Sequence, residues 1–283
     1  MTIRNILVPL FPGVAFDNQL AAAVDLARKI EAHINAIFVL PDPVRVIAGA
    51  PAVALAAGIS AAMIKHDGEA AAAAAKDKFE RWCREEGLAA SMVARAPRTP
   101  FAQWSQRIGD VGPIVVRCGR LSDLIVINRP SNSLASAEAF DAAVFESGRP
   151  TLLVDKTVSR DLLRHVVIAW NGSIEATRAI AGAMALLHEA QQVSIFTTFD
   201  DGMLEQDLDL AESLCLHGIN PRYLRPRPSE KTAAEALLRV VGDVNPSLLV
   251  MGAYTHSRLR EALLGGVTRE VLAHVEIPVL MTH

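Results

Sequence analysis

Short, unbroken apolar runs recur along the chain. They alternate with longer stretches in which apolar residues return every three or four positions. Ile6-Leu7-Val8, Ile34 to Leu40, Leu124 to Ile127 and Leu152-Leu153-Val154 are such runs in the first part. Val166–Trp170, Val193–Thr198, Ile219–Leu224, Leu248–Gly252 and Ile277–Thr282 follow in the second. An apolar run this short, without alternation, is the mark of a strand buried on both faces. Between the later runs, Ile174–Ala190, Met203–His217, Lys231–Val241 and Val267–His274 carry helical spacing. Ser173 stands where an N-cap is needed and Gly218 where a C-cap is needed. Strands and helices alternating at these lengths predict a parallel sheet with helices on both faces, an open doubly wound α/β fold.

The pattern also repeats. Leu121–Asn128 resembles Asn245–Gly252, and Arg149–Val154 resembles the segment from Ile277 to Met281. The openings match too, Ile6-Leu7-Val8-Pro9 against Val166-Val167-Ile168-Ala169. A duplication is the simplest account, with domains at 1–155 and 164–283 and Lys156 to Leu163 as linker. The first domain carries an insertion at about 41–86, and its alanine-rich run from Glu69 to Ala75 predicts one or two extra helices. A membrane-active or partner-binding helix is the sharper alternative there, but the segment has no basic amphipathic face.

Composition narrows the classes. Of 283 residues, 51% are apolar and 21% charged, which supplies a core and excludes a disordered chain. A net charge of −3 gives no general attraction for nucleic acid or an anionic membrane, and neither is expected as a partner. Three separated cysteines argue against a disulfide framework; Cys118 and Cys215 fall in helical stretches and read as packing residues. No C-x-x-C or H-E-x-x-H is present and the eight histidines are scattered, so no metal site is expected. The first apolar stretch is too short for a signal peptide, and the window from Val44 to Ile64 is broken by Pro51 and Gly58. The expected location is the cytoplasm.

Open α/β sheets bind ligands beyond the carboxyl ends of their strands, where the strand order switches. The candidate loops follow Trp170, Thr198 and Gly252. After Gly252 comes a loop holding Thr255, His256, Ser257, Arg258 and Arg260, and then Gly265-Gly266 before a helix. Paired glycines let an anion approach the backbone, and a helix start offers free N–H groups. A tight strand-to-helix turn would use the same glycines for their dihedral angles alone. From the loop by itself both readings stand.

The stretch from Leu249 to Met281 resembles the C-terminal signature of the universal stress protein family, and the whole chain resembles its tandem-repeat form. The nucleotide-binding branch of that family carries G-x-x-G, nine residues and G-[ST] after its fourth strand. Gly252 matches the first glycine and Gly265 the third, while Thr255 replaces the second glycine and Gly266 replaces the Ser or Thr. Val267 and Thr268 continue the pattern, and Asn171-Gly172-Ser173 stands where the family commonly has Asp-Gly-Ser. The resemblance implies an adenine-nucleotide alpha-hydrolase-like fold, with the two domains packed as an intramolecular pseudo-dimer through Leu152-Leu153-Val154 and Val279-Leu280-Met281. It implies ATP or another adenine nucleotide, with Mg, held by Ala169, Asn171, Thr198, Met251, Gly252, Thr255, Gly265, Gly266, Val267 and Thr268. Thr255 adds bulk where phosphate would approach, and Gly266 removes a hydroxyl but keeps its amide.

The first domain departs further. Phe11 stands at the Asp position, and Asn128-Arg129-Pro130-Ser131-Asn132-Ser133 replaces the glycine loop, so this half is expected to be structural. No Walker A motif or G-x-S-x-G elbow is present. His256 is read as a solvated loop residue, and Asp200 and Asp201 as caps of the helix after them. No general base can be named, so slow ATP hydrolysis is the most the resemblance implies. Three functions follow in order: a universal stress protein in stress response or signalling, a scaffold that has lost nucleotide binding and has an unknown protein partner, and a nucleotide-dependent enzyme of related fold. A homodimer of the tandem chain is a further expectation.

Overall fold

The structure is a computed structural model that describes residues 2–90, 100–131, 133–155, 161–197, 203–227, 232–253 and 266–283. In chain order the first half runs β1 (Asn5–Leu10), α1 (Asp17–Ile30), β2 (His33–Leu40), α2 (Pro43–Gly49), α3 (Pro51–Ala56), α4 (Ala61–Glu85), β3 (Ala89–Ala90) and β4 (Phe101–Ile108). It continues with α5 (Val111–Gly119), β5 (Leu124–Asn128), α6 (Leu134–Asp141), a π-helical segment (Ala142–Glu146) and β6 (Thr151–Val154). The second half runs β7 (Val166–Trp170), α7 (Ile174–Glu189), β8 (Val193–Thr197), α8 (Met203–Leu216), β9 (Arg222–Leu224), α9 (Ala233–Val244), β10 (Leu248–Gly252), α10 (Gly266–His274) and β11 (Val279–Thr282).

All of these strands form one sheet of 11, in the order β3-β4-β2-β1-β5-β6-β11-β10-β7-β8-β9. Every pair is parallel except the central one, where β6 meets β11 antiparallel with Leu152 opposite Leu280 and Leu153 opposite Val279. That joint is the pseudo-dimer contact that the family resemblance implied. Reading outward from it, β5-β1-β2-β4 mirrors β10-β7-β8-β9, and β3 is an extra edge strand. Two tandem doubly wound units therefore share a sheet, which buries the edge that each would otherwise expose.

One hydrophobic layer, under α1, α4, α7 and α8, runs from Ile6 and Phe38 through Leu152 and Leu280 to Val166 and Ile195. The other lies under α5, α6, α9 and α10 and runs from Leu7 and Ile125 through Leu153 and Met281 to Val167 and Phe196. The alternation is enforced by the strand period of two. Both layers cross the central joint.

Several expectations need correction in detail. The insertion contains three helices, because Pro51 starts α3 and Gly58, at φ +66°, separates it from α4. The strand expected from Ile219 covers only Arg222–Leu224. Gly218 takes φ +77° as the C-cap of α8, and Ile219 donates back to the Leu214 carbonyl at 2.9 Å and buries its side chain there. The end of the linker is core: Leu162 and Leu163 are buried in the α1–α7 layer. Cys215 is exposed rather than packed, Cys118 is half-buried, and Cys83 is buried, its thiol pushed up to about 11 by burial.

Candidate functional site

At the carboxyl ends of β7 and β10 the two faces of the sheet do different work. On the face toward α9 and α10, register places Phe196 beside Ala169, Ala169 beside Met251 and Met251 beside Met281. This apolar row floors a cavity of about 290 Å³, which Ala233 and Leu237 of α9 and Gly266, Val267 and Thr268 of α10 also line. Asn171, Ser173 and Glu175 border it from the β7–α7 turn. The strand order switches here, because β7 lies between β8 and β10.

On the other face Gly252 meets the start of α7. A Cβ on Gly252 would lie 2.6 Å from the Ala176 amide nitrogen and 2.8 Å from the Glu175 carbonyl carbon. The glycine thus lets the first turn of α7 seat directly on the end of β10, a packing role that a phosphate reading does not require. Gly266 differs: nothing lies within 4 Å of where its Cβ would be. Among the described residues nothing fills the space beside it, where the N-terminus of α10 lines the cavity.

The turn into α7 is built by its own side chains. Asn171 Oδ1 accepts from the Ser173 amide at 3.2 Å and from the Ser173 hydroxyl at 2.7 Å. Ser173 Oγ in turn accepts from the Ala176 amide at 3.1 Å, the N-cap bond expected of it. Gly172 between them takes φ +72°, a conformation that glycine adopts without strain. Trp170 also lines the cavity, and among the described residues its buried Nε1 and the buried Thr197 Oγ1 have no hydrogen-bond partner.

Of the ten residues expected at the site, seven converge on this cavity: Ala169, Asn171, Met251, Gly252, Gly266, Val267 and Thr268. Thr198, Thr255 and Gly265 lie outside the described residues, as do Asp200, Asp201, His256, Ser257, Arg258 and Arg260. The sequence reading missed Trp170, Phe196, Leu237 and Glu175 as cavity residues. For Phe196 and Trp170 the signal was present, since each sits at the end of a strand beside a predicted site residue.

The matching place in the first half is a polar cavity of about 750 Å³, and the side chains that line it bond the surrounding loops. Asn128 Nδ2 donates to the Ala15 carbonyl at 2.7 Å, Asn18 Nδ2 donates to the Asp155 carbonyl at 2.9 Å, and Ser136 Oγ accepts from the Ser131 amide at 3.1 Å. Phe11 is buried. Arg129 reaches across to the second half, where its guanidinium donates to the Leu272 carbonyl at 2.8 Å and to the Ile277 carbonyl at 2.9 Å. Its Nε lies 3.3 Å from the Asp155 carboxylate, and burial lowers its pKa while Asp155 opposes the shift.

With this geometry in hand, comparison with known proteins is informative. The family model of the universal stress protein family matches residues 228–283, which include α9, β10, α10 and β11. That C-terminal segment is thus similar to the universal stress protein family. The fold extends the likeness to the full length. A universal stress protein from Archaeoglobus fulgidus superposes with a TM-score of 0.66 at 17% identity, covering 97% of each chain. A putative universal stress protein from Pseudomonas aeruginosa gives 0.57 at 16% identity, over 98% of this chain and 92% of its own. A functionally unknown protein from the same species gives 0.58 at 16% identity, with the same coverage. At these identities the superpositions establish the universal stress protein fold. No curated protein matches the chain.

Proposed function

We propose that this universal stress protein binds an adenine nucleotide in its second domain, 164–283, and acts in stress response or signalling, while the first domain, 1–155, is structural. The supporting observation is the convergence of seven separately predicted residues on one cavity at the switch point of β7 and β10. Its chemistry suits a base and sugar. Ala169, Phe196, Met251 and Leu237 offer an apolar slot for a flat ring. The open start of α10 at Gly266, Val267 and Thr268 offers backbone amides and the positive end of a helix dipole to a phosphate. Among the described residues no group of three or more His, Cys, Asp or Glu is arranged to hold a metal, so Mg²⁺ enters this reading as the companion of the ligand's phosphates.

The test is a thermal melt of nucleotide-stripped protein with and without Mg·ATP. Ligand at 100 times its Kd stabilises the native state by about 2.7 kcal/mol, enough to move Tm by several degrees. The shift is expected to disappear in Gly266→Val, which adds bulk at a cavity-lining position where no described residue lies within 4 Å of the new Cβ. No shift at millimolar Mg·ATP overturns the reading.

A second reading, an interaction protein, has one observation in its favour. The insertion leaves Val44, Val53, Leu55 and Met63 exposed, Leu55 by 85%. Among the described residues no helix is long and apolar enough to cross a membrane. A cytoplasmic location and a homodimer of the tandem chain belong to the proposal. Size-exclusion chromatography with light scattering tests the second of these.

A further inference from the structure

We infer that Glu175 is the residue that reads the sugar of the ligand, by accepting hydrogen bonds from the vicinal ribose hydroxyls. The inference rests on the nucleotide reading of the cavity and names one of its specificity determinants. Glu175 is the charged side chain among the described residues that line the cavity, and it stands half-buried in the first turn of α7. Its position is fixed from behind. The Cβ of Glu175 lies 2.9 Å from where a Cβ on Gly252 would be, so only a hydrogen fits between the end of β10 and this turn. The Ser173 cap fixes the turn from the front.

The two other side-chain acceptors of the β7–α7 turn are engaged. Asn171 Oδ1 takes two bonds from Ser173, and Ser173 Oγ takes the Ala176 amide. Among the described residues no hydrogen bond or ion pair engages the Glu175 carboxylate, although Lys and Arg side chains elsewhere in the chain pair freely with acids. A carboxylate offers two acceptor oxygens and no donor, which complements a pair of hydroxyl donors. A carboxylate just beyond a strand end, bonded to ribose hydroxyls, is a solution that doubly wound folds use repeatedly. Its place in the first helical turn also suits the helix dipole, which favours a negative side chain there.

The test compares ATP with 2′,3′-dideoxy-ATP, both with Mg²⁺, by calorimetry on the full chain and on Glu175→Ala, with Glu175→Gln as the isosteric control. In the unaltered protein ATP is expected to bind at least about ten-fold more tightly than the dideoxy analogue, the size of one hydrogen bond to a charged acceptor. In Glu175→Ala the two ligands are expected to agree within about two-fold, because only ATP loses a contact. Glu175→Gln is expected to lie between, and it carries the comparison if the alanine variant folds poorly. Equal binding of the two ligands in the unaltered protein, or a preference that persists in both variants, overturns the assignment and leaves the nucleotide reading standing. Failure of both ligands to bind the unaltered protein overturns the nucleotide reading itself.

Discussion

Arg129 offers the sharpest test of how the two halves depend on each other. Its side chain is 10% exposed, and it bonds the last turn of α10 through the Leu272 carbonyl and the following segment through the Ile277 carbonyl. Carbonyls at a helix C-terminus have no partner within the helix, and a cation there also meets the negative end of the dipole. Hydrogen bonds from a charged donor contribute about 1.5–3 kcal/mol each. Two such bonds and the Asp155 contact therefore bound the loss in Arg129→Ala at the several-kcal/mol level. Relief of the desolvation that lowers the Arg129 pKa offsets part of it. The expected net loss is about 3 kcal/mol. Arg129→Lys should recover less than half, because one ammonium cannot span both carbonyls with the planar fork that the guanidinium supplies. Urea denaturation followed by circular dichroism reads both values. A loss below about 1 kcal/mol in Arg129→Ala would refute the argument, since a residue this buried and this bonded cannot then be holding α10. The opposite end of α10 lines the cavity, so the same variant is also expected to weaken Mg·ATP binding.

Two further perturbations separate packing from ligand effects. Gly252→Ala drives a methyl into the backbone of Glu175 and Ala176 and is expected to cost about 1–3 kcal/mol, whereas Gly266→Ala points into open space and should change stability by no more than about 1 kcal/mol. Equal losses in the two variants, by the same denaturation assay, would mean that the fit of α7 on Gly252 is not tight. The third perturbation is pH. His165 is buried against Ser194 Oγ at 2.9 Å, and its pKa is lowered by burial first and by Arg164 second. The unfolded chain then binds the proton more readily, so His165's contribution is whole above about pH 6.5. It is lost as pH falls from there toward the folded pKa, at no more than about 1.4 kcal/mol per pH unit. His33 shifts in the same direction through burial and Arg4, so His165→Gln should reduce the acid-side loss between pH 7.5 and 5.5 rather than abolish it. An unchanged slope would remove His165 from the account.

The large features of this fold were legible because they rest on period and length. The apolar run in β10 is short enough for a strand buried on both faces, while the pairing of Thr151–Val154 with Val279–Thr282 was legible through the family resemblance. The details that escaped are those decided by neighbours distant in sequence. Nothing near Leu162 and Leu163 marks them as core; they are buried because α1 and α7 close over the segment, with Asp25 accepting from the Leu162 amide at 2.9 Å. Arg129 read as an obstacle to phosphate and is instead a clamp on a helix 142 to 148 positions away. Glu175 was silent in the sequence because a Glu in a first helical turn is ordinary, and only the close approach of Gly252 aims it at the cavity.

The same contrast explains why one topology gives two chemically different switch points, one with an apolar floor and one lined by polar side chains that bond the surrounding loops. Asn128 and Arg129 follow β5's core residues at the register where Gly252 and Ala253 follow those of β10. At Gly252 the absence of a side chain brings the start of α7 against the strand end and leaves the far face free to line a cavity. At Asn128 a side chain is present, and it is spent on the Ala15 carbonyl of the β1–α1 connection. The next residue, Arg129, leaves its own half and secures the helix that lines the other half's cavity. Once one switch point had taken on that clamp, an anion there would compete with the Asp155 carboxylate and the α10 carbonyls for the same guanidinium. The two halves are thus coupled choices: restoring a glycine at position 128 or 129 is expected to destabilise α10 rather than to create a second ligand site. Calorimetry on Arg129→Gly that found two ATP sites per chain, with α10 intact, would refute the coupling.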